Sequence, residues 1–293
     1  MANNALMTIW DVQHGLAIHL KAPNGKYIVF DMGAGSYSGQ NTLFSPLNYL
    51  KRNLFVSSVD YMVITHPHRD HIDDILNFDI VSPKILHRPR SLSNEEVMEG
   101  VLYADRAKFN KYCEVNNRYS SPIGDSDVSD ISNSNNYGGM EVQIFTPLFC
   151  SHNNFNNFSL VSTINYAGIK IVIPGDNENE SFEELLANSD FKNAIRNADV
   201  LIAPHHGRES GYHKDFIDTV NPRITIVSDG SCCDSSANSR YSAKSRGWDV
   251  YDRLGRENKR YCLSTNSDGN VKVEFGFSQD PNYYNILNIR TQQ

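Results

Sequence analysis

The chain has 293 residues, of which 40% are hydrophobic, so it is long enough and apolar enough to bury a substantial core. No apolar run is as long as a membrane-spanning helix, and the opening residues MANNALMTIW lack a signal-peptide pattern. A net charge of −7 excludes a basic surface over the whole molecule, and five cysteines without a CxxC pair favour a reducing compartment. We therefore expect a cytoplasmic protein with no membrane segment.

The first half of the chain is predicted to alternate strands with helical segments. TIWDVQHGLAIHLKAP and GKYIVFDMGAG are predicted to be two strands around the Pro-Asn-Gly turn at 23–25, because Asn-Gly favours a hairpin. LFSPLNYLKRN has helical apolar spacing, VDYMVIT is predicted to be a buried strand, and residues 79–90 a strand that returns to the sheet. Residues 94–117 again have helical spacing, and the Ser-, Asn- and Asp-rich stretch 120–139 is predicted to be a mobile loop.

The second half is predicted to be built in the same way. Strands are predicted in MEVQIFTP, FSLVSTINYAG, IKIVIPGD, ADVLIAPHHG and ITIVSDG, and helices in SFEELLANS and YHKDFIDTVN. Strands outnumber helices, and helices separate the strand groups in both halves. This pattern predicts one α/β domain over residues 1–293, made of two strand-rich halves, with a helical and polar insertion at about 91–139.

A dense histidine motif, HPHRDH, follows the strand VDYMVIT. Imidazole nitrogens and carboxylate oxygens are the usual ligands of Zn²⁺ and also suit Mn²⁺ or Fe²⁺. In a tight loop His66 and His68 can point to one side while Asp70 and His71 point to the other, which would supply two metals. A water bridging two such metals has its pKa lowered to about 7. The alternative is a group of surface histidines in a loop, which their position after an apolar strand disfavours.

Two later strands end in residues of the same kind. IVIPGDNE places Asp176 after a glycine, although Gly-Asp also forms ordinary turns. ADVLIAPHHG ends in His205 and His206, and adjacent side chains point in different directions. We therefore expect one of these histidines to bind a metal and the other to orient it or to contact substrate. The three motifs together predict a metal centre where the strands end.

The order HxHxDH, Gly-Asp and HHG resembles the metallo-β-lactamase superfamily. Within it, the flanking motifs WDVQHGLAIHL, YIVFDMGAG, NNFSLV and IVIPGD are similar to the C-terminal hydrolase domain of ComEC-type competence proteins and to its free-standing relatives. The likeness covers most of residues 8–230. It implies an αββα sandwich of two mixed sheets flanked by helices, with the metal site at one edge. It also implies a cytosolic binuclear hydrolase, often a nuclease or phosphodiesterase.

The resemblance implies a metal-binding role for seven side chains: His66, His68, Asp70, His71, Asp176, His205 and His206. In that assignment the first two hold one metal, the next two hold the other, and the aspartate that follows the glycine bridges both. One of the two adjacent histidines completes the second site.

Two further residues are expected to support the centre. Asp31, in FDMG, matches an aspartate that usually steadies the metal loop, although an Asp before a Gly-containing turn has a simpler explanation. His14, in DVQHG, lies on a loop that approaches the metals in this fold, where it would touch substrate.

The chain also departs from the family pattern. Many members supply a third histidine to the first metal, whereas here the corresponding stretch is rich in asparagine, with Asn156 and Asn157 as candidates to approach the site. An amide oxygen is a weaker zinc ligand than imidazole, so we expect two divalent ions, Zn²⁺ or Mn²⁺, of which one is held weakly. His152 is near enough in sequence to substitute, but a surface position is favoured.

We predict a metal-dependent hydrolase, a phosphodiesterase or nuclease acting on nucleic acid or nucleotides. By resemblance, a metal-bound hydroxide would be the nucleophile, oriented by Asp70 and Asp176, and His206 or Arg208 would steady the phosphoryl oxygens. The other basic residues considered for phosphate binding are Arg69, Arg88, Arg90, Arg240, Lys244 and Arg246. Phe109, Tyr112 and Tyr119 are candidates to stack on bases, although core packing explains most aromatic residues.

Two other functions remain open. One is hydrolysis of a small molecule, such as a phosphocholine ester, a lactone or a cyclic nucleotide, which predicts a narrow pocket. The other is a partner-binding module with a vestigial metal site, although decayed sites usually lose their ligands first. A protein partner that delivers the substrate is expected by analogy with the family.

Overall fold

Fifteen strands lie in the part of the chain that the computed structural model describes, which is residues 4–35, 44–124, 126–230 and 236–292. In chain order they are β1 (Ala5–Ile9), β2 (Ala17–Lys21), β3 (Tyr27–Met32), β4 (Tyr61–Val63), β5 (Ile85–His87), β6 (Glu141–Phe145), β7 (Val161–Tyr166), β8 (Ile169–Ile173), β9 (Val200–Ile202), β10 (Ile224–Val227), β11 (Trp248–Tyr251), β12 (Glu257–Arg260), β13 (Cys262–Ser264), β14 (Val271–Phe277) and β15 (Asn285–Thr291).

Nine α-helices lie within the same described ranges. They are α1 (Pro46–Asn53), α2 (Arg69–Ile72), α3 (Asn94–Met98), α4 (Arg106–Arg118), α5 (Asn179–Ala187), α6 (Ser189–Ile195), α7 (Lys214–Val220), α8 (Asn238–Lys244) and α9 (Thr265–Asp268). α1 begins after Ser45, whose hydroxyl accepts a hydrogen bond from the Asn48 N–H, and Pro46 takes the first helical position. α3 begins with a capping box formed by Ser93 and Glu96.

The described strands form two mixed sheets. The first sheet has nine strands in the order β12-β11-β15-β14-β1-β2-β3-β4-β5, and the second has six in the order β13-β10-β9-β8-β7-β6. Strands β3, β4 and β5 are parallel to one another, as are β8, β9, β10 and β13. Each sheet therefore has one edge at which the carboxyl ends of several strands meet, as is usual for ligand sites in α/β folds.

Buried side chains show that the two sheets pack face to face, with helices on both outer faces. Along β3, Phe30 belongs to the cluster between the sheets and Val29 to the cluster under α1, α4 and the 3₁₀ turn Ile75–Ile80. Along β8, Ile171 faces the first sheet and Val172 faces α5 to α8. The layers are therefore helix, sheet, sheet and helix, which confirms the predicted αββα sandwich.

Three local predictions differ from the structure. The segment TIWDVQHGLAIHLKAP is two strands, β1 and β2, separated by a loop that carries His14. The helix predicted over 94–117 is divided into α3 and α4 by a 3₁₀ turn, Tyr103–Asp105. The polar stretch 120–139 is anchored and not simply a mobile loop, since Ile131 and Tyr137 are buried in the cluster between the sheets. These two side chains therefore hold the later part of the insertion against the core.

Among the described residues, no helix combines the length and the apolar composition needed to cross a membrane.

His19 on β2 is a titratable group inside the first sheet's outer layer. Its ring centroid lies 4.6 Å from that of Trp10, and His19 and Lys272 both pair with Thr8 from the strands on either side of β1. Burial lowers the pKa of His19 to about 4, and the charge of Lys272 acts in the same direction. The unfolded chain takes up a proton near the ordinary value of 6.5, so the contribution of His19 to folding is lost as pH falls from there toward 4.

We predict that the His19→Gln variant loses part of this pH dependence. Between about pH 7 and about pH 4.5, the free energy of unfolding of the wild type should fall by about 2 kcal/mol more than that of the variant. The reason is that one pKa unit corresponds to about 1.4 kcal/mol. Urea unfolding of both proteins in EDTA at the two pH values measures the difference. Parallel pH profiles of the two proteins would show that His19 does not titrate in this way.

Candidate metal centre

The carboxyl-terminal edges of the parallel strands bring the predicted site residues together. The first sheet supplies Asp31, near the end of β3, and the HPHRDH loop after β4. The second sheet supplies Asp176 after β8, and His205 and His206 after β9. Residues that are far apart in sequence therefore meet because their strands end at adjoining edges.

Four of these residues form a compact buried group. Asp70, His71, Asp176 and His206 each offer one ligand atom, and these atoms all lie within 4.8 Å of one another. His71 Nε2 lies 3.2 Å from Asp176 Oδ1, and His206 Nε2 lies 3.1 Å from Asp70 Oδ2 and 3.3 Å from Asp176 Oδ2. Two imidazoles and two carboxylates at such separations fit the tetrahedral ligand set of a divalent transition metal.

The other three histidines lie outside this compact group but near it. His66 Nε2 is 3.0 Å from His68 Nδ1 and 3.9 Å from Asp176 Oδ2. His205 Nε2 is 4.0 Å from the same carboxylate oxygen. His206 therefore lies with Asp70 and His71 in the compact group, whereas His205 lies outside it, near the Asp176 carboxylate.

Hydrogen bonds to Nδ1 leave Nε2 of these histidines facing the centre. His71 Nδ1 lies 2.7 Å from Asp31 Oδ2, and His206 Nδ1 donates to the Ser228 carbonyl at 2.9 Å. A carbonyl oxygen can only accept, so the His206 proton is on Nδ1 and its Nε2 lone pair is available to a metal. His205 Nδ1 is held in the same manner by Glu178 Oε1 at 2.9 Å.

Asp31 connects the first sheet to the histidine loop. Its two carboxylate oxygens accept hydrogen bonds from the Thr65 N–H and hydroxyl, both at 2.7 Å, in addition to the contact with His71. Burial raises the pKa of Asp31, although its bonds to His71 and Thr65 act in the opposite direction. The structure thus places Asp31 against His71 Nδ1, a contact beyond that of an ordinary turn.

The backbone at His205 and His206 explains why adjacent histidines reach different groups. Both residues have left-handed dihedrals, with φ of 47° and 53°, a conformation that costs free energy for residues other than glycine. Their ring centroids are 6.2 Å apart and the rings are inclined by 65°. A regular helix or strand would not direct the two imidazoles to these positions.

Glycines allow the close contacts around the two aspartates. Gly175 has φ of 59°, and a Cβ there would lie 2.8 Å from Cβ of Ser159, so only glycine fits before Asp176. A Cβ on Gly15 would lie 2.5 Å from the Asp70 carbonyl oxygen. The backbone that carries Asp70 is therefore packed directly against the β1–β2 loop.

Charge within the centre is balanced between carboxylates and imidazoles. Burial opposes ionisation of Asp70 and Asp176, but His71 and His206 outweigh burial and hold the pKa of both carboxyls well below the usual range. Burial likewise opposes protonation of His206, and the two carboxylates outweigh it and raise its pKa to about 10. Both carboxylates are thus anions at neutral pH, and a divalent cation would replace protons on the imidazoles.

His66 and His68 differ from this group because burial lowers the pKa of both imidazoles. They are therefore neutral near pH 7, with lone pairs available as ligands. The whole arrangement fits divalent metal ions in both its geometry and its protonation.

The asparagine stretch supports the centre indirectly. Asn156 Nδ2 donates to Glu178 Oε1 at 3.0 Å, and Asn157 Oδ1 accepts from the Glu178 N–H at 3.1 Å. Glu178 in turn holds His205, so both asparagines orient the residue that orients this imidazole. His152 pairs with Glu96 at 2.6 Å on the surface and does not approach the centre.

His14 contacts Asp70, and Arg208 contacts His14. His14 Nε2 is 3.2 Å from Asp70 Oδ2, and its Nδ1 is 3.6 Å from Asp229 Oδ1. Burial would lower the pKa of His14, but the contacts with Asp229 and Asp70 outweigh burial and raise it. Arg208 Nη2 lies 3.3 Å from His14 Nε2, which puts a half-buried guanidinium at the rim of the centre.

The remaining basic residues have partners away from the metal-ligand atoms. Arg88 is buried and donates to Asn116 and Tyr119 at the end of α4, and Arg90 also donates to the Tyr119 carbonyl. The other partners are Asp105 and Asp73 for Arg69, Glu209 for Arg240, Asp218 for Lys244, and the Asn221 carbonyl for Arg246. Of the basic residues considered, Arg208 is the one whose guanidinium reaches the centre through His14.

Several supporting residues were not singled out from the sequence. Thr65, Glu178, Ser228 and Asp229 contact Asp31, His205, His206 and His14. Asp229 follows β10 in ITIVSDG, and a carboxylate directly after a parallel strand was the same signal that identified Asp176. Ser228 acts through its carbonyl oxygen, for which the side chain gives no signal.

Two mixed sheets with helices on both outer faces, and a His/Asp group where the parallel strands end, are the arrangement of the metallo-β-lactamase fold. No family model matches the chain. The chain is 24% identical over 279 residues to ComE operon protein 3 of Bacillus subtilis strain 168, and this match covers 90% of the chain. The predicted resemblance to ComEC-type proteins is therefore confirmed. The chain spans about a third of that relative, with 32% of its length matched.

Solved structures of proteins named after the metallo-β-lactamase superfamily or fold are also similar to this chain. A Thermotoga maritima protein assigned to the metallo-β-lactamase superfamily is 13% identical, with 88% of this chain and 97% of that chain covered and a TM-score of 0.43. The metallo-β-lactamase fold protein YhfI of Bacillus subtilis is 10% identical, with 78% and 87% covered and a TM-score of 0.40. The fold assignment for this chain rests on its own sheets and layers.

We predict that Asp31→Asn weakens metal binding. Loss of the carboxylate behind His71 should reduce affinity for Zn²⁺ by about 10- to 100-fold, because partners of ligating histidines fix their orientation and basicity. Competition with a chromophoric chelator measures the affinity. Asp60→Asn is the matched control, since Asp60 is a buried aspartate just before β4, at the other end of that strand from the histidine loop. Equal affinity in the two variants would contradict the role given to Asp31.

Proposed function

We propose that the centre holds two divalent metal ions, Zn²⁺ or Mn²⁺, and that the protein is a phosphodiesterase acting on nucleotides or nucleic acid. The first site would comprise His66, His68 and His205, the second would comprise Asp70, His71 and His206, and Asp176 would lie between them. The observation that carries the proposal is the buried carboxylate of Asp176, which has the Nε2 atoms of four histidines around it at 3.2 to 4.0 Å.

In this assignment His205 is the third histidine of the first metal site, which the asparagine stretch does not provide. The family pattern suggested that His205 or His206 completes the second site. The distances favour His206 there and leave His205 for the first site, where Glu178 would hold it in orientation. Three imidazoles make the first site stronger than an amide ligand would, so tight binding of both metals is part of the proposal.

A pair of divalent ions supplies Lewis acidity and an ionised water near neutral pH. The residues of the chain would position these elements. Asp70 and Asp176 would orient the attacking oxygen, and Arg208 would donate to a phosphoryl oxygen of the substrate. His14, held between Asp70 and Asp229, would keep the Asp70 carboxylate in place.

Net charge supports an anionic substrate group. Two ions of charge +2 would exceed the two carboxylates that contact them, Asp70 and Asp176, and Arg208 adds a further positive charge at the rim. A centre with excess positive charge stabilises a phosphoryl group, whose charge grows on its non-bridging oxygens during transfer. A neutral ester or lactone would not need Arg208.

A cytoplasmic location and a partner that delivers the substrate belong to the same proposal. Cys113, Cys150 and Cys262 are free thiols, which is consistent with a reducing compartment. The partner is proposed by analogy with the ComEC-type relatives, of which the matched ComE operon protein 3 is one.

We predict metal-dependent cleavage that requires His68 and Asp176. Purified protein with Zn²⁺ or Mn²⁺ should cleave bis(p-nitrophenyl) phosphate or DNA, and EDTA should abolish the activity. His68→Ala and Asp176→Ala should each lower turnover by about a hundredfold or more, because each removes a proposed metal ligand, and loss of Asp176 also removes a buried negative charge. Metal content, measured by mass spectrometry of the same samples, should fall in parallel.

His152→Ala is the matched control, since this histidine is near the centre in sequence but pairs with Glu96 on the surface. It should keep full activity and full metal content. Bound metal without cleavage of any phosphodiester, tested on plasmid, linear DNA and the small reporter, would favour a binding module over an enzyme. A fully active Asp176→Ala variant would rule out the shared-carboxylate assignment.

A further inference from the structure

A cleft of about 490 Å³ with apolar and charged side chains in its lining opens beside His68. One wall is the histidine loop, at Pro67 and His68. A second wall comes from the inserted segment that contains α3 and α4, where Val97 and Phe109 line the cleft, and Phe155 forms the third. The volume lies within the range of small-molecule sites, roughly 300–1,000 Å³.

We infer that this cleft is the subsite for a neutral aromatic ring of the substrate, such as the base of a nucleotide. The inference rests on the proposed function, since it names the group that lies next to the phosphoryl group at the metal centre. His68 belongs to both the cleft wall and the proposed first metal site, so the two sites are continuous.

Stacking surfaces in the cleft suit a planar ring. The centroid of the Phe155 ring lies 6.1 Å from that of the His68 ring, and the two rings are inclined by only 26°, so they are nearly parallel. Phe109, from α4, is partly buried and lines the same cleft. Aromatic side chains bind nucleobases through their faces and do so with little dependence on sequence.

The charges of the cleft argue against a second phosphate there. The guanidinium of Arg69 is held by Asp105 at 3.2 Å, and Lys108 forms an ion pair with Asp73. Glu99 adds a carboxylate to the lining, so the positive charges near the cleft are already neutralised. A neutral ring is therefore favoured over a continuing polyanionic backbone, and the substrate is closer in size to a nucleotide than to a duplex.

The inference also gives the insertion a role. Residues 94–117 were predicted to be helical, and in the structure the first part of this segment lines the cleft beside the metal loop.

The test compares binding of adenosine 5′-monophosphate, phenyl phosphate and ribose 5-phosphate to the metal-loaded protein by calorimetry. The wild type should bind the two ring-containing ligands about tenfold or more tightly than ribose 5-phosphate, as expected for one stacked ring. Phe155→Leu should lose most of this preference while its affinity for ribose 5-phosphate stays unchanged. Tighter binding of the adenosine ligand than of phenyl phosphate would identify a nucleobase and not a simple aryl group.

Phe149→Leu is the matched control, because Phe149 is exposed and lies in the same loop region outside the cleft lining. It should behave as the wild type. Phe109→Leu changes the opposite wall and should also reduce the ring preference, which guards against a local folding defect at Phe155. A wild type with no ring preference, or an unchanged preference in both cleft variants, would overturn the inference.

Hydrolysis of methyl p-nitrophenyl phosphate and of thymidine 5′-(p-nitrophenyl phosphate) separates this inference from the proposed function. If neither ester is cleaved but the ring preference depends on Phe155, the phosphodiesterase proposal fails and the subsite stands. If both are cleaved equally by the wild type and the cleft variants, and no ring preference is found, the enzyme stands and the subsite fails.

Discussion

The buried carboxylate of Asp31 is the contact on which the arrangement of the centre depends. It joins the end of β3 to the loop after β4 through Thr65 and to α2 through His71, with all three contacts at 2.7 Å. Hydrogen bonds are stronger in a low-dielectric interior than in water, and water does not compete at a fully buried site. Two strand ends and the short helix are thereby held as one unit, and His71 is directed at Asp176.

The second sheet is held to this unit by contacts that cross between the two sheets. Leu160 N–H donates to the Thr65 carbonyl at 3.0 Å, and the Ser228 hydroxyl donates to the Gly15 carbonyl at 2.7 Å. Asp176 and His206 therefore face a loop that is already fixed by the first sheet. Catalytic precision in such a centre comes from rigid strand ends, and the helices contribute mainly by burying the outer faces of the sheets.

The sequence was sufficient to predict the fold class and to find the ligand-bearing loops, because apolar strands and the residues that follow them are local patterns. It was not sufficient to divide β1 from β2, since Trp10 and Val12 alternate with polar residues as they would in one continuous strand. The separate positions of His205 and His206 depend on two left-handed residues, which no residue type there signals. Glu178 and Asp229 become partners of histidines only when distant strands are aligned.

The enclosure of the centre affects how metal ions would enter and leave it. His66, His71 and Asp176 are buried, whereas His68, Asp70 and His205 are partly exposed, so the side at His68 is one approach to the centre. That approach is shared with the cleft. A molecule seated in the cleft would stand in the path of ions that leave past His68, so turnover and metal exchange would compete at this approach. The occupied protein would then release its metals to a chelator more slowly than the free protein, although no ligand atom differs between the two.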